Sequence, residues 1–276
     1  MRGMIRRIGG NLGVRKGEAP AGSVQLERDG YTVLRGVLTP DVIATLRDEI
    51  AKAFETYPPE RGRGDKSEFR YEMLNRAPGC QKAIGTRAIL DAIEPLLGED
   101  CHVIANTAWW NPADFPGGPW HCDAGPHVPR AEGIAWDDRI PYPVFAIGAH
   151  LYLRDCPLSC GPTAVIPGSH RSGRLPPFDR LNEEHLEYEG RGPVALEANA
   201  GDVALFVSDA WHRGLPAKSG GTGRLFLQAH YARRDLAQRI RTTADVNHLS
   251  ADARDRIQSP RERTLLGLHG PFFYDG

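Results

Sequence analysis

The sequence lacks an excess of charge of either sign. Lys and Arg total 34 and Asp and Glu total 35, which gives a formal net charge of −1 over 276 residues. Nucleic-acid-binding and membrane-surface-binding proteins usually carry a clear basic excess. The balance therefore argues against both classes of partner, and the expected partner is a small-molecule substrate. It does not indicate an oligomeric state.

Cysteine is scarce, and its pattern is irregular. The chain has five Cys, an odd number without the repeated spacing of a disulfide framework. Cys156 and Cys160 lie four residues apart, but no second pair completes a zinc site. The basic N-terminal region also lacks the continuous apolar stretch of a signal peptide or membrane helix. We expect free thiols in a reducing compartment and a cytoplasmic location.

The order of periodic segments predicts one domain. Residues 1–22 are rich in Gly, Arg and Pro and are predicted to form a flexible arm, and residues 23–276 are predicted to form a single domain. Its first part contains helical periodicity, and strand-like segments dominate from residue 102. The expected fold class is mainly β with flanking helices, around a double-stranded β-helix core like that of jelly rolls and cupins. The predicted segments are a strand at 31–37, helices at 42–54 and 81–97, a polar loop from 58 to about 78, and strands at 102–110, 143–153, 163–166, 203–207 and 224–231.

Two short motifs indicate a metal site. The sequence W-H-C-D occupies 120–123, and A-W-H-R follows at 210–213. Residues two apart in an extended segment project to the same face, so His121 and Asp123 can bind one metal, and His212 can complete the site from a distant strand. Two His and one carboxylate on one face of an octahedral ion leave three open positions, as in mononuclear non-haem Fe(II) sites.

The strand after the second motif supplies a candidate anion site. Arg224 follows His212 by twelve residues and begins an alternating segment. A guanidinium binds a carboxylate through two parallel hydrogen bonds, so Arg224 is expected to anchor the far end of a dicarboxylate that chelates the iron. Gln228 and His230 share its face by the two-residue period, and Gln228 is a candidate substrate contact.

These motifs resemble the phytanoyl-CoA dioxygenase-like family of Fe(II)/2-oxoglutarate-dependent oxygenases. The resemblance covers roughly residues 23–232, and its most specific block is the string G-P-x-x-x-I-P-G-S-H. The four blocks are D-G-Y-T-V-L-R-G-V-L at 29–38, W-H-C-D at 120–123, C-G-P-T-A-V-I-P-G-S-H at 160–170 and the stretch 212–224.

The resemblance implies an enzyme that uses Fe(II), 2-oxoglutarate and O2. Such an enzyme decarboxylates 2-oxoglutarate to succinate and CO2 and oxidises a substrate C–H bond. By the same resemblance, His121, Asp123 and His212 match the metal positions, Arg224 matches the 2-oxoglutarate position, and Thr163 and Asn106 match positions that can contact the cosubstrate. Halogenating relatives have Gly or Ala in place of the Asp, so Asp123 makes hydroxylation the expected outcome, with Cys122 a tolerated departure between the ligands. The ligand set does not separate hydroxylation from desaturation, epimerisation or ring closure.

The substrate is less well defined by the sequence. Acyl-CoA thioesters, amino-acid derivatives and secondary metabolites are all compatible with the motifs, and the absence of a basic cluster for a CoA phosphate favours a small metabolite or natural-product intermediate. Trp110, Arg70, Asn75 and Trp136 lie in loops or at a strand end where a substrate could bind, although core, rim or solvated roles are equally open for them.

Two other classes of function remain open. A redox-inert, cupin-like hydrolase or isomerase would use the same three ligands for Zn or another divalent ion, but would not need Arg224. A binding protein that has lost catalysis would bind its substrate without consuming 2-oxoglutarate.

Overall fold

The helices lie mainly in the first and last parts of the chain. The structure is a computed structural model that describes residues 20–59, 67–123, 125–137, 139–218, 220–238, 240 and 249–270. None of the helices in these ranges is long and apolar enough to cross a membrane. The helices are α1 Ala21–Asp29, α2 Pro40–Thr56, α3 Met73–Arg76, α4 Pro78–Ala83, α5 Arg87–Leu97, α6 Ala251–Asp255 and α7 Pro260–Leu265.

The strands form two antiparallel sheets. The larger sheet has the order β1-β7-β4-β9-β3-β2, and the smaller has the order β6-β5-β8. The strands are β1 Tyr31–Leu34, β2 Glu68–Arg70, β3 His102–Asn111, β4 Ala146–Tyr152, β5 Thr163–Val165, β6 Val194–Ala195, β7 Val203–Val207, β8 His212–Gly214 and β9 Arg224–Ala232. The predicted fold class, a mainly β protein with a double-stranded β-helix core and flanking helices, is confirmed.

Each face of the larger sheet packs against a different layer. Leu225, Leu227, Ala229 and Tyr231 of β9 belong to the core shared with α2, α4 and α5. Phe226 of β9 instead packs with Tyr152 and Phe206 of the same sheet and with Val165 of the smaller sheet. Successive residues of a strand face opposite sides, so the even-numbered residues of β9 line the space between the sheets. This space contains the candidate site.

The start of α2 follows the predicted capping pattern. Thr39 accepts a hydrogen bond from the backbone N–H of Val42, and Pro40 occupies the first turn. Pro is favoured there because its missing N–H has no partner in the helix. The apolar residues Ile43, Leu46 and Ile50 are buried, so one face of α2 covers the larger sheet.

The loop predicted from 58 to about 78 is wrong for its described residues, 58–59 and 67–78. The segment 58–78 was expected to be a polar loop, but its described residues include β2, α3 and the first residue of α4. Phe69 pairs with Trp109 of β3 and is buried, which holds β2 against the larger sheet. The domain boundary expected at residue 23 falls inside α1. The rest of the expected arm, residues 1–19, lies outside the described residues.

Candidate active site

The two histidines of the motifs face each other across a β-bridge. The backbone N–H of each donates to the backbone oxygen of the other at 2.9 Å, and the ring centroids of His121 and His212 are 4.3 Å apart. Residues paired in this way project to one side. Asp123, two residues after His121, donates its backbone N–H to the oxygen of Ser208 at 3.1 Å. The three side chains therefore converge, and their possible ligand atoms all lie within 4.8 Å of one another.

Backbone carbonyls orient both imidazoles. Nδ1 of His121 lies 2.9 Å from the oxygen of Pro119, and Nδ1 of His212 lies 2.9 Å from the oxygen of Ala210. A carbonyl can only accept a hydrogen bond, so each Nδ1 carries a proton, and Nε2 is the nitrogen that a metal would bind after displacing any proton there. The Nε2 atoms of His121 and His212 lie 4.0 Å and 3.3 Å from Oδ1 of Asp123. A proton on Nδ1 is the arrangement that metal binding through Nε2 requires.

The carboxyl group of Asp123 is held in its ionised form. Burial opposes ionisation, but the charges and hydrogen bonds of His212 and His230 outweigh it and hold the pKa of Asp123 well below its usual range. For His212, burial likewise opposes the charged form, but the adjacent Asp123 carboxylate outweighs it and raises the pKa. A carboxylate beside two imidazoles is a donor set suited to a divalent transition metal.

Arg224 is a buried cation without an anionic partner among the described residues. Its side chain is 6% exposed, NH1 donates to Oγ1 of Thr163 at 2.9 Å, and Nε is buried without a hydrogen-bond partner. The rings of Phe115 and Phe226 lie 5.7 Å and 5.1 Å from its guanidinium carbon. Burying an unpaired charge costs several kcal/mol, so the geometry favours an anion at this position.

A row of polar side chains continues from Arg224 along the wall of the pocket. Thr163 accepts from Arg224, and its hydroxyl lies 3.1 Å from Nδ1 of His150. Burial, with the positive charge of Arg224, lowers the pKa of His150 well below its usual range, so this imidazole is neutral. Gln228 accepts from the indole N–H of Trp109 at 2.7 Å and lies 3.5 Å from Nε2 of His150. These five residues form the polar row, with Gln228 one strand repeat, about 7 Å, before His230.

Two residues of β3 expected at the site face the other side of the sheet. Asn106 pairs with Ala229, which belongs to the helix-facing core, and Trp110 packs against that core. The predictions of Asn106 as a cosubstrate contact and of Trp110 as a substrate contact are therefore wrong. The pocket side of β3 carries Trp109, opposite Phe226, and Asn111, opposite Arg224. Asn111 was missed, although its spacing of two from Trp109 is the signal that identifies a shared face.

Two other residues predicted to contact the substrate, Arg70 and Asn75, instead form hydrogen bonds that hold the backbone. Arg70 is 1% exposed and donates to the backbone oxygens of Tyr57, Phe69 and Phe54. Its guanidinium thus satisfies backbone oxygens at the C-terminal end of α2 and in β2, and it does not face the pocket. Asn75 accepts from the backbone N–H of Ser250, just before α6, so it lies in the helical layer. Neither residue belongs to the pocket.

Trp136 lies in the segment that follows the first motif. Its indole N–H donates to the oxygen of Ile140, and its ring lies 5.0 Å from that of Tyr142. The Tyr142 hydroxyl and Nδ1 of His127 both contact the buried carboxylate of Asp209. These contacts bind the segment to Asp209, which precedes His212 by three residues. A substrate contact for Trp136 remains a prediction.

Comparisons with known proteins identify a family and related folds. A family model described as phytanoyl-CoA dioxygenase matches residues 26–225. No curated protein matches the sequence.

Solved structures share the fold at low sequence identity. The non-haem α-ketoglutarate-dependent epimerase SnoN from nogalamycin biosynthesis is 19% identical, with 83% of this chain and 92% of that chain covered and a TM-score of 0.61. HygX from Streptomyces hygroscopicus, solved with nickel, 2-oxoglutarate and hygromycin B, is 14% identical, with coverages of 83% and 91% and a TM-score of 0.61. The carbocyclase SnoK is 17% identical, with coverages of 80% and 87% and a TM-score of 0.57.

Proposed function

The chain belongs to the phytanoyl-CoA dioxygenase family, and from this premise we propose that it hydroxylates an unactivated C–H bond of a small-molecule metabolite or natural-product intermediate. The family consists of enzymes that depend on Fe(II) and 2-oxoglutarate and use O2. In the proposed reaction, one oxygen atom of O2 enters succinate, CO2 is released, and the second oxygen atom enters the substrate.

The observation that carries this proposal is the buried guanidinium of Arg224, on the same face of β9 as His230, which contacts Asp123. The carboxylate of Asp123 and the Nε2 atoms of His121 and His212 fit Fe(II) as ligands. Arg224, together with Thr163, fits the distal carboxylate of 2-oxoglutarate, whose other end would reach the metal. A redox-inert metal enzyme would need the triad but would not need Arg224.

The protein residues would bind and orient the reactants and exclude water. Bound iron supplies the oxidising chemistry when 2-oxoglutarate and O2 are present. Arg224 and Thr163 would fix the far end of the cosubstrate. Phe226 and Gln228 follow Arg224 on the same face of β9 and lead to His230, which contacts Asp123. The neutral His150 contributes a hydrogen bond without adding a second positive charge beside Arg224. A fixed cosubstrate lets the reacting end be directed towards one C–H bond.

A second outcome of the same chemistry is favoured by the structural neighbours. They include an epimerase and a carbocyclase as well as HygX, which was solved with nickel, 2-oxoglutarate and hygromycin B bound. Epimerisation, ring closure or desaturation would leave the substrate without a new oxygen atom. Each would still require the triad and Arg224, so the protein ligands do not separate these outcomes from hydroxylation.

Labelled oxygen separates them. The holoenzyme is incubated with Fe(II), 2-oxoglutarate, 18O2 and a panel of small natural products, and succinate and products are analysed by mass spectrometry. Hydroxylation predicts one 18O atom in succinate and one in the product. Label in succinate alone, with an altered substrate, would identify the second outcome. Substrate conversion that does not need O2 would overturn the proposal.

A further inference from the structure

The two carboxylate oxygens of Asp123 have different partners. Oδ1 lies 3.3 Å from Nε2 of His212 and 4.0 Å from Nε2 of His121. Oδ2 lies 2.8 Å from Nε2 of His230. An ionised carboxylate accepts hydrogen bonds and cannot donate, so His230 donates its Nε2–H to Oδ2. Oδ1 is thus the oxygen that contacts the two imidazoles of the motifs, and Oδ2 is the oxygen that contacts His230.

The sheet provides room for His230 at this position. His230 is on the pocket face of β9, six residues after Arg224, and pairs with Gly148 of β4. A Cβ atom at position 148 would lie 3.3 Å from Nε2 of His230 and 2.8 Å from the ring of Phe206. A glycine here therefore allows the imidazole to lie beside Phe206 and reach Asp123. His230 does not belong to the group of side chains whose possible ligand atoms all lie within 4.8 Å of one another.

We propose that His230 is a positioning residue that restricts Asp123 to one metal bond, through Oδ1. The inference rests on the proposed function and adds a requirement to it. His121, His212 and Oδ1 would hold Fe(II) with three protein atoms and would leave room on it for a chelating 2-oxoglutarate and O2. A second bond from Oδ2 would take up part of that room. The hydrogen bond from His230 would keep Oδ2 from forming it.

Structures of the metal-loaded protein test this geometry directly. Ni(II) is used with 2-oxoglutarate because it does not react with O2 in this setting. The expected wild-type complex has Oδ1 bound to the metal and Oδ2 bound only to His230. In the His230→Leu variant, Oδ2 is expected to move onto the metal. A wild-type structure in which His230 itself binds the metal, or in which both oxygens of Asp123 do, would overturn the inference without any variant.

Metal affinity in solution provides a second readout. Loss of a residue that orients a metal ligand typically weakens metal binding about 10- to 100-fold. The Kd for Fe(II), measured anaerobically by competition with a chelator, is expected to rise by about this factor in His230→Leu. His230→Gln retains an N–H donor and is expected to restore most of the affinity. The matched control is His185→Ala, because His185 is exposed and outside the pocket.

The outcomes distinguish this inference from the proposed function. If wild-type protein binds neither Fe(II) nor 2-oxoglutarate, the proposed function fails. If wild-type protein binds both but His230→Leu leaves the Fe(II) affinity and the coordination of Asp123 unchanged, only the role of His230 is wrong. Equal weakening in His230→Leu and His230→Gln would also contradict it, because the hydrogen-bond donor would then not matter.

Discussion

Replacing Arg224 by Met should separate cosubstrate binding from folding. Each hydrogen bond to a charged group contributes about 1.5 to 3 kcal/mol, and every 1.4 kcal/mol corresponds to about a tenfold change in Kd. Arg224→Met should therefore raise the Kd for 2-oxoglutarate by at least about 10- to 150-fold. Stability should not fall, because the guanidinium has only one hydrogen-bond partner, Thr163, among the described residues. Replacing a buried ion pair by apolar residues is often neutral or stabilising by about 1 to 4 kcal/mol, and Arg224 has no ion-pair partner to lose among the described residues.

Arg70 supplies the matched control for this prediction. It is also a buried arginine, but it donates to three backbone oxygens and to Glu68. Arg70→Met should lower the Tm clearly, because each buried acceptor left unsatisfied costs about 1 to 3 kcal/mol, while folded protein should keep its affinity for 2-oxoglutarate. Calorimetric titration of the Ni(II) protein and thermal unfolding of the metal-free protein measure the two effects. An Arg224→Met variant with unchanged affinity, or with a Tm loss like that of Arg70→Met, would refute the reasoning.

Four further substitutions test separate parts of the account. Asp123→Ala should abolish tight Fe(II) binding and succinate formation, and a fully active variant would disprove the metal assignment. Thr163→Val should raise the Kd for 2-oxoglutarate about 10-fold, as measured by the same titration, because it removes the hydroxyl that holds Arg224. Gly214→Ala should weaken 2-oxoglutarate binding without removing any polar group, because a Cβ there would lie 2.5 Å from NH2 of Arg224 and would displace it. An unchanged Kd for 2-oxoglutarate would show that the guanidinium position does not matter. Burial raises the pKa of Asp202, but hydrogen bonds from two backbone amides and a neighbouring guanidinium outweigh it and leave the pKa lowered. The stabilisation from ionised Asp202 is thus present above its unfolded pKa of about 4 and is lost as pH falls through the folded pKa. Asp202→Asn should therefore lower the Tm at neutral pH, and the difference in Tm between wild type and variant should narrow in acid. A difference in Tm that does not depend on pH would contradict this.

The sequence predicted the parts of the site that depend on short-range rules. The two-residue period places His121 beside Asp123, and the same period places Gln228 on the face of Arg224. The prediction that His212 lies near Asp123 required only that the two motifs face the same pocket. These predictions use spacing and donor chemistry, and the packing of distant segments does not alter them.

The errors come from features that depend on which face of a strand is buried. Trp109 and Trp110 are adjacent aromatics, so alternation alone does not show which of them lines the pocket, and the strand register shifts between Val103 and Ala105. Arginine is usually a surface residue. Arg70 is buried because α2 and β2 bring together the backbone oxygens that it binds, and the sequence around it does not show this. The contact of His230 with Asp123 joins residues 107 positions apart, which no local pattern reports.

The most direct test of the account is an anaerobic titration of metal-free protein with Fe(II) and then 2-oxoglutarate, followed by visible absorption. The account predicts a charge-transfer band of chelated 2-oxoglutarate in the wild type, a much weaker band in Arg224→Met at the same concentrations, and none in Asp123→Ala. A wild-type protein that binds Fe(II) but develops no band on addition of 2-oxoglutarate would contradict the central claim and would instead support a redox-inert metal enzyme.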